Sequence, residues 1–282
     1  MSERREIERR LATLGDVAEI MGALKNAAIA EAIRLRRYVP AQQRVIATVD
    51  AATQDFLAHY PQLPKLAASP SGIFLVVGSE RGFCGSYNEE LVAALDRERA
   101  RQPPEAAVVV VGRRLASRLG RRLEPAAVVE GPSVADEVRP AIARLITTLQ
   151  RLPAARDKLL PLAMIVLYHE IAGRSSEVRA KPLFHGFARD KRRFTDPPRL
   201  YLDPHAFFRE LADHYLFAAL HELFYSALLA ENERRLRHLE GAVRRVDHMR
   251  EELTLRGNQL RQEEITEEIE IILLSTGMNT EL

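Results

Sequence analysis

Cysteine and tryptophan are nearly missing from this chain of 282 residues, which contains one cysteine and no tryptophan. A single cysteine excludes an internal disulfide, and it fits a compartment that keeps thiols reduced. Aromatic residues make up only 6% of the sequence, which is typical of a chain rich in helix. Small folds stapled by disulfides are therefore excluded, and packed helices and strands are expected instead.

An excess of one charge is also absent. Lysine and arginine number 41 against 39 acidic residues, so the net charge is only +2. Because nucleic acid is bound through a strong positive field, no nucleic-acid partner is expected. The longest apolar runs, at 73–77, 106–111 and 159–168, are far shorter than the ~20 residues that span a bilayer. No apolar segment follows the charged N-terminus, so we expect a soluble chain without a signal peptide.

Proline is absent between residues 207 and 275, and only two glycines occur there. The pair Asp203-Pro204 just before it is a typical helix start, an N-cap followed by proline. We therefore predict one helix over most of residues 204–282, far longer than an ordinary globular helix. A helix of that length needs a partner beside it. The apolar residues that recur along it every seven positions are Leu239, Val246, Leu253 and Leu260.

Residues 2–60 carry a matching apolar stripe. Sixteen seam positions, spaced alternately by four and three residues from Ile7 to Tyr60, include thirteen apolar residues, and Lys25 is one of the exceptions. This heptad pattern predicts a coiled-coil helix, with a kink where Pro40 removes a backbone donor. The economical assembly pairs the two terminal helices antiparallel. The predicted parts are a coiled-coil helix over 1–60, an α/β foot domain over 70–203 and a C-terminal helix over 204–282.

Charged residues cluster on the C-terminal helix at 231–237, 244–245 and 263–270. On a long helix such clusters are most often a solvated face. The alternative is contact with a partner that encloses the coiled coil. Both interpretations remain open at this point.

The middle of the chain changes character, because short Val- and Ile-rich runs alternate with helical segments. Continuous apolar runs between helices are typical of a Rossmann-like α/β domain with mostly parallel strands. We predict helices at 87–101, 113–119 and 135–150, strands at 72–78, 106–112, 126–130 and 160–169, short edge strands at 178–184 and 200–202, and an exposed loop at 191–198.

The turn at residues 78–85, Gly-Ser-Glu-Arg-Gly-Phe-Cys-Gly, lies where α/β folds place nucleotide-binding loops. Its glycine spacing matches neither the dinucleotide nor the P-loop pattern, and no acidic residue ends the second strand. Cys84 stays open between a nucleophile near a helix N-terminus and a small buried thiol. His214 and His221 would be ~10 Å apart on a helix and cannot share a metal. No catalytic, cofactor or metal site is therefore predicted.

Three motifs follow one another in the chain: Ser-Glu-Arg-Gly-Phe-Cys-Gly-Ser-Tyr-Asn at 79–88, Ser-Ala-Leu-Leu-Ala-Glu-Asn at 226–232, and Arg-Gln-Glu-Glu-Ile-Thr-Glu-Glu-Ile at 261–269. Together they resemble the gamma subunit of the rotary F-type ATP synthases, the central rotor shaft. The corner at 200–204 resembles the family's return from its domain to the long helix. The run Ala-Leu-Lys at 23–25 is similar to the family's Ala-Met-Lys.

The resemblance implies a mechanical role with no direct nucleotide binding. The antiparallel coiled coil would stand inside a head of alpha and beta subunits, and the α/β domain would meet the epsilon subunit and the membrane c-ring. The chain would then be peripheral, on the cytoplasmic face of the inner membrane. The implied head contacts are Lys25, Arg261, Gln262 and Thr266; the foot-domain turn holds Arg81, Gly82, Cys84 and Gly85; the membrane-ring side holds Tyr201, Asp203, Pro204 and His205.

The chain departs from the family pattern at several places. Residues 16–21 replace the family's Asn-Thr-x-Lys-Ile-Thr, Leu24 replaces a methionine, and Arg256-Gly257 replaces an apolar-aromatic pair. These departures indicate a divergent branch, such as the second-copy rotary ATPases that some bacteria carry. Two other functions remain as alternatives: a small nucleotide-dependent α/β enzyme and a free-standing coiled-coil scaffold.

Overall fold

A computed structural model describes residues 3–60, 63, 72–101, 106–120, 122–152, 164–173, 175–183 and 199–277. Within these residues it contains five α-helices, a short 3-10 helix (Ala135–Glu137) and five strands. The predicted loop at 191–198 lies outside these residues. The helices are α1 (Glu3–His59), α2 (Tyr87–Arg99), α3 (Arg113–Leu119), α4 (Val138–Arg151) and α5 (Pro204–Gly277). The strands are β1 (Ile73–Val77), β2 (Ala107–Val111), β3 (Ala127–Val129), β4 (Met164–Ala172) and β5 (Ser175–Leu183).

The strands form one sheet in the order β3-β2-β1-β4-β5. The first four strands are parallel, and β5 alone runs antiparallel, beside β4. This confirms the predicted mostly parallel α/β fold. β1 consists of five consecutive apolar residues, all of them buried, as expected for a strand that has helices on both of its faces. Ile73, Leu75 and Val77 pack on one side, and Phe74 and Val76 on the other.

The last strands differ from the prediction. β4 continues to Ala172, beyond the predicted end at 169, because it turns at Gly173 and pairs along its whole length with β5. Residues 160–163, where this strand was predicted to begin, lie outside the described part of the chain. The edge strand predicted from 178 is real and begins earlier, at Ser175. The strand predicted at 200–202 was wrong, because Tyr201 is 99% exposed and has no neighbouring strand to pair with.

Helices cover the sheet on both faces. Side chains of α1, α4 and α5 form a core with one face, and α2 and α3 form a second core with the other. The first part of α5 packs on the sheet, since Ala219, Leu223 and Phe224 are fully buried in the core on that face. The sheet therefore holds the segment of α5 that carries the second family-like motif.

The heptad stripe of α1 is confirmed as a seam. All sixteen predicted seam positions are buried or half-buried, and Leu35 is completely covered. The buried Thr53 hydroxyl donates a hydrogen bond to the carbonyl of Val49 at 2.7 Å, which satisfies a polar group at an apolar position. Lys25 is half-buried. Pro40 lies inside a helix that is continuous from Glu3 to His59, and its kink stays a prediction.

α5 begins where the sequence predicts. One carboxylate oxygen of Asp203 accepts the backbone N–H groups of His205 at 3.0 Å and Ala206 at 3.1 Å, so Asp203 caps the helix. Pro204 takes the first helical position, where its missing N–H costs nothing. The corner that leads into α5 is therefore fixed by local chemistry.

By packing, the chain divides into two compact units, an α/β unit (Ala28–Leu236) and a coiled-coil unit (Met1–Ala27 with Arg237–Leu282). α1 and α5 are antiparallel within each of them. In the α/β unit the ring centroids of Phe56 and Phe207 lie 4.8 Å apart, and those of Tyr38 and Tyr225 lie 5.5 Å apart. In the coiled-coil unit Arg4 pairs with Glu264 at 3.3 Å. Among the described residues, no helix is both long and apolar enough to cross a bilayer.

His169 is the most deeply buried histidine described, on β4 beneath α2. Its ring stacks on Tyr87 with a centroid distance of 4.0 Å, and its Nε2–H donates to the Tyr87 carbonyl at 2.9 Å. Nδ1 has no hydrogen-bond partner among the described residues. Burial, together with the charge of Arg234, lowers the pKa of His169 against the opposing effects of the Tyr87 carbonyl and Glu90. The ring is therefore held neutral.

We expect Leu35→Ala to lower the free energy of unfolding by about 2–5 kcal/mol, because it opens a cavity in the core beneath α1. Ile33→Ala is the matched control on the same helix, since Ile33 is 48% exposed and its truncation should cost less than about 1 kcal/mol. Urea denaturation followed by circular dichroism measures both values. Equal losses in the two variants would contradict the assignment of the buried face.

We expect the α/β unit to lose stability as the pH falls below about 6.5, because the unfolded chain protonates His169 while the folded chain resists it. The contribution is present above the unfolded pKa and disappears as the pH falls toward the depressed folded pKa. Urea titrations between pH 5 and 7 should show a shallower pH slope for His169→Gln than for the native chain. His248→Gln, which changes an exposed ring, should keep the native slope; a native slope in His169→Gln would disprove the assignment.

Candidate functional site

The turn after β1 is closed by its own side chains. The Asn88 carbonyl oxygen accepts the Ser79 backbone N–H at 3.1 Å, and its amide donates to the Ser79 hydroxyl at 2.8 Å. Both residues are buried. Gly82 and Gly85 lie on this turn, Gly85 with a positive φ of 63° that a residue with a side chain rarely adopts. The buried polar groups of Ser79 and Asn88 therefore hydrogen-bond to each other within the turn.

Cys84 sits inside this network. Its thiol donates to the Ser79 hydroxyl at 3.4 Å, and only 5% of the residue is exposed. Burial raises the pKa of the Cys84 thiol above its ordinary value. Since the thiolate is the nucleophile, these properties favour the buried-thiol interpretation over the catalytic one.

Residues of α5 hydrogen-bond to the segment that follows β1, next to the point where the strand order reverses and where doubly wound folds bind nucleotides. Arg235 donates from Nε to the carbonyl of Gly82 at 3.1 Å and also pairs with Glu231. The Tyr87 hydroxyl donates to the carbonyl of Ala227 at 3.0 Å. α5 is thus bound directly to the turn after β1 and to the first residue of α2.

Glu231 and Arg235 correct the sequence interpretation of the 231–237 cluster as a solvated face. Each is less than 9% exposed, because α5 lies against the β1–α2 turn at this point. Burial raises the pKa of Glu231, although the Arg235 guanidinium opposes that change. Sequence periodicity could not find this, since the covering residues are about 150 positions away in the chain.

Glu80 ties together the loops at the carboxyl ends of three strands. One carboxylate oxygen accepts the backbone N–H of Arg113 at 3.1 Å and that of Gly131 at 2.9 Å. Between them Gly112 has a φ of 103°, and a Cβ there would lie 2.6 Å from the carbonyl oxygen of Ser79. Arg81 in the same turn is exposed. The turn therefore offers its outer surface, and not a cavity, to any partner.

The residues implied as head contacts lie on the coiled-coil unit. Arg261, Gln262 and Thr266 are exposed on α5, and in the described part of the chain Arg261 has no ion-pair partner. Thr266 donates its hydroxyl to the carbonyl of Gln262 at 2.8 Å, a local helix bond. Lys25 lies on α1, and nothing in the structure brings it to Arg261. The residues are thus available for contact but do not form one cluster.

An apolar surface at the end of α5 was missed in the sequence. Ile265 is 45% exposed, Ile269 51%, Ile271 65% and Ile272 61%. Exposed apolar residues gathered on one segment indicate a surface that a partner covers. The spacing of four and three residues between Ile265, Ile269 and Ile272 was visible in the sequence, but the charged residues between them dominated its interpretation.

Two further surfaces complete the description. The residues implied on the membrane-ring side form the corner before α5, where Tyr201 and His205 are exposed and Leu202 is 50% exposed. A groove of about 650 Å³ runs along the coiled-coil unit. The groove is lined by Arg9, Arg10, Thr13, Leu14, Met249, Glu252, Leu253 and Arg256.

Within the described residues, no three His, Cys, Asp or Glu side chains are placed to hold a metal ion.

Solved structures share this fold. A chain from the rotor of the Euglena gracilis mitochondrial ATP synthase superposes with a TM-score of 0.59 at 14% identity, covering 93% of this chain and 98% of that one. A chain from the central stalk and c-ring of the Tetrahymena thermophila mitochondrial ATP synthase gives a TM-score of 0.60 at 15% identity, covering 79% and 99%. At such identities the likeness concerns the fold alone.

Sequence relatives agree with the fold. The ATP synthase gamma chain of Heliobacterium modesticaldum is 24% identical, over 94% of this chain and 95% of its own length. That of Akkermansia muciniphila is 25% identical, over 95% and 96%. The family model described as ATP synthase matches residues 3–276, nearly the whole chain. The chain therefore belongs to the ATP synthase family, among its gamma subunits.

Proposed function

We propose that this chain is the central-stalk rotor of a rotary ATP synthase, and that it couples ion flow through a membrane ring to ATP synthesis or hydrolysis in a catalytic head. Family membership over residues 3–276 carries the proposal, because the match includes both long helices as well as the α/β unit. The rotor and central-stalk structures with the same fold support it. In this role the chain would be a non-catalytic subunit, which is supported by the hydrogen bonds that join α5 to the segment after β1.

The proposed partners of the coiled-coil unit are the alpha and beta subunits of the head. A rotor can drive a partner only if it contacts the partner's states differently, because equal contacts shift no equilibrium. α5 has unlike faces near its end, with exposed isoleucines beside the polar Arg261 and Gln262. Arg261 and Gln262 would hydrogen-bond to a loop of one catalytic subunit. Lys25 would face an acidic segment of the head.

The proposed partners of the α/β unit are the epsilon subunit and the membrane c-ring. The corner before α5 supports the ring contact, since Tyr201 is 99% exposed and Leu202 is half exposed. The Asp203 cap holds this corner in place. The complex would then lie on the cytoplasmic face of the inner membrane, with this chain as a peripheral subunit.

The assembly prediction is that the chain copurifies with alpha, beta and epsilon subunits and with a membrane ring when it is tagged in its own cells. Mass spectrometry of the purified complex identifies the partners. A tagged unrelated soluble protein from the same cells is the control.

A homodimer without ATPase subunits would instead support the scaffold alternative. Micromolar binding of ATP or NAD in calorimetric titration of the isolated chain would revive the enzyme alternative.

We expect Arg261→Ala combined with Gln262→Ala to lower the rate of coupled ATP synthesis by about tenfold or more, because a hydrogen bond to a charged group contributes about 1.5–3 kcal/mol and each ~1.4 kcal/mol is a factor of ten in rate. The chain should stay folded, since both side chains are exposed and alanine favours helix. Synthesis is measured in energised membrane vesicles, and folding by circular dichroism.

The matched control is Arg244→Ala combined with Gln43→Ala, which removes the same two residue types from other exposed helix positions. It should leave synthesis unchanged. Native synthesis in the Arg261/Gln262 variant would remove these residues from the coupling role. Equal losses in both double variants would show that the effect is not specific to the end of α5.

A further inference from the structure

Two consecutive arginines, Arg234 and Arg235, anchor α5 to three other elements of the α/β unit. They lie in the last turn of α5 that belongs to this unit, which ends at Leu236. Beyond that residue α5 continues as part of the coiled-coil unit. Any rotation that passes along α5 has to pass through this turn.

Arg234 uses all five of its N–H groups. Nη1 and Nη2 donate to the two carboxylate oxygens of Glu90 on α2 at 2.8 and 2.7 Å. Nε donates to the hydroxyl of Ser176 on β5 at 2.7 Å, and Nη2 also donates to its carbonyl at 3.1 Å. Nη1 reaches the Ser86 hydroxyl at 3.4 Å. The planar guanidinium is therefore fixed in position and in angle.

Glu90, which accepts the hydrogen bonds of Arg234, is held in its charged form. Burial favours the neutral acid, but hydrogen bonds from Arg234 and Ser86 outweigh it and lower the pKa of Glu90. The pair is therefore ionised at neutral pH. Glu90 lies in the first turn of α2, where a negative charge is favoured by the helix dipole.

α1 has its own anchor close to the start of the α/β unit at Ala28. Arg34 donates two parallel hydrogen bonds to the carboxylate of Asp136, at 2.9 and 2.5 Å. Glu31 accepts the backbone N–H of Ala135 at 2.5 Å. The two helices are also joined directly, since Arg36 pairs with Glu233 at 2.5 Å. The α1 anchor is more exposed than the α5 anchor, because Asp136 is 72% exposed and Arg234 only 20%.

We infer that Arg234 is a positioning residue that locks the rotational angle of α5 to the α/β unit, so that torque passes between them without slip, with Arg34 as a weaker second anchor on α1. This inference rests on the proposed rotor function. Hydrophobic burial holds α5 against the sheet but is non-directional. A guanidinium bound in a fixed plane to α2 and β5 resists rotation of the helix about its axis.

The test uses the complete complex with the catalytic head fixed to a surface and a bead attached to the α/β unit. The angular spread of the bead during a catalytic pause measures torsional stiffness. If the two anchors act in parallel and independently and Arg234 is the stronger one, Arg234→Ala should lower the stiffness to less than about half, so the variance of the angle more than doubles. The hydrolysis rate at saturating ATP should stay native. Arg244→Ala, on an exposed face of the same helix, is the control and should leave the variance native.

Glu90→Gln is a second variant that tests the same contact if Arg234→Ala fails to fold. It removes the negative charge and keeps the shape of the side chain. It should raise the variance in the same direction by a smaller factor. A role limited to folding would lower the melting temperature and leave the angular variance native, and that result in both variants overturns the inference. Absence of any rotation of the bead in the native complex would instead contradict the proposed rotor function.

Discussion

The rest of the structure depends on covering the apolar stripe of one helix of 74 residues. A helix of this length is not stabilised by its own hydrogen bonds alone, and it needs tertiary packing along its stripe. Within the α/β unit the sheet and α1 supply that packing, and within the coiled-coil unit α1 supplies it through residues such as Ile7, which lies 3.5 Å from the Cβ position of Gly257. α1 begins at Glu3, and Arg4 already faces Glu264. The isoleucines at 265–272 lie near or beyond that level, and they are 45–65% exposed.

The same helix also hydrogen-bonds to the turn that follows β1 in the α/β unit. A mostly parallel sheet with a tight turn after β1 is an architecture that binds nucleotides at the point where its strand order reverses. Here the turn after β1 hydrogen-bonds to itself and to Arg235 of α5, and Tyr87 at the start of α2 hydrogen-bonds to α5 as well. The α/β architecture is therefore combined with direct hydrogen bonds between this turn and a segment of the same chain.

Local and periodic signals predicted much of this fold. The heptads of α1, the start of α5 at Asp203-Pro204 and the buried strands β1 and β2 follow from spacing and from turn chemistry that neighbouring residues decide. The wrong strand at 200–202 was apolar enough for a strand, but a strand also requires a neighbour that the sequence does not reveal. The contacts of Arg234 were equally hidden, because Glu90 is 144 positions away and Ser176 is 58. In the sequence Arg234 is one of several arginines on a charged helix, and only the fold distinguishes it from the exposed Arg244.

Stability alone does not explain why charges occupy the turn at 231–235. A buried or half-buried ion pair is desolvated at a cost close to what its attraction returns, and apolar residues of similar size often stabilise a fold as well or better. Three alanines, Ala219, Ala227 and Ala230, precede this turn on α5, and they are almost completely buried. Small apolar side chains let α5 approach closely, but they set its rotational angle only loosely because dispersion contacts have little directionality. Glu231, Arg234 and Arg235 supply the direction, since each hydrogen bond weakens steeply when the helix turns away from it. These charges therefore fix the rotational angle of α5 at the last turn that belongs to the α/β unit.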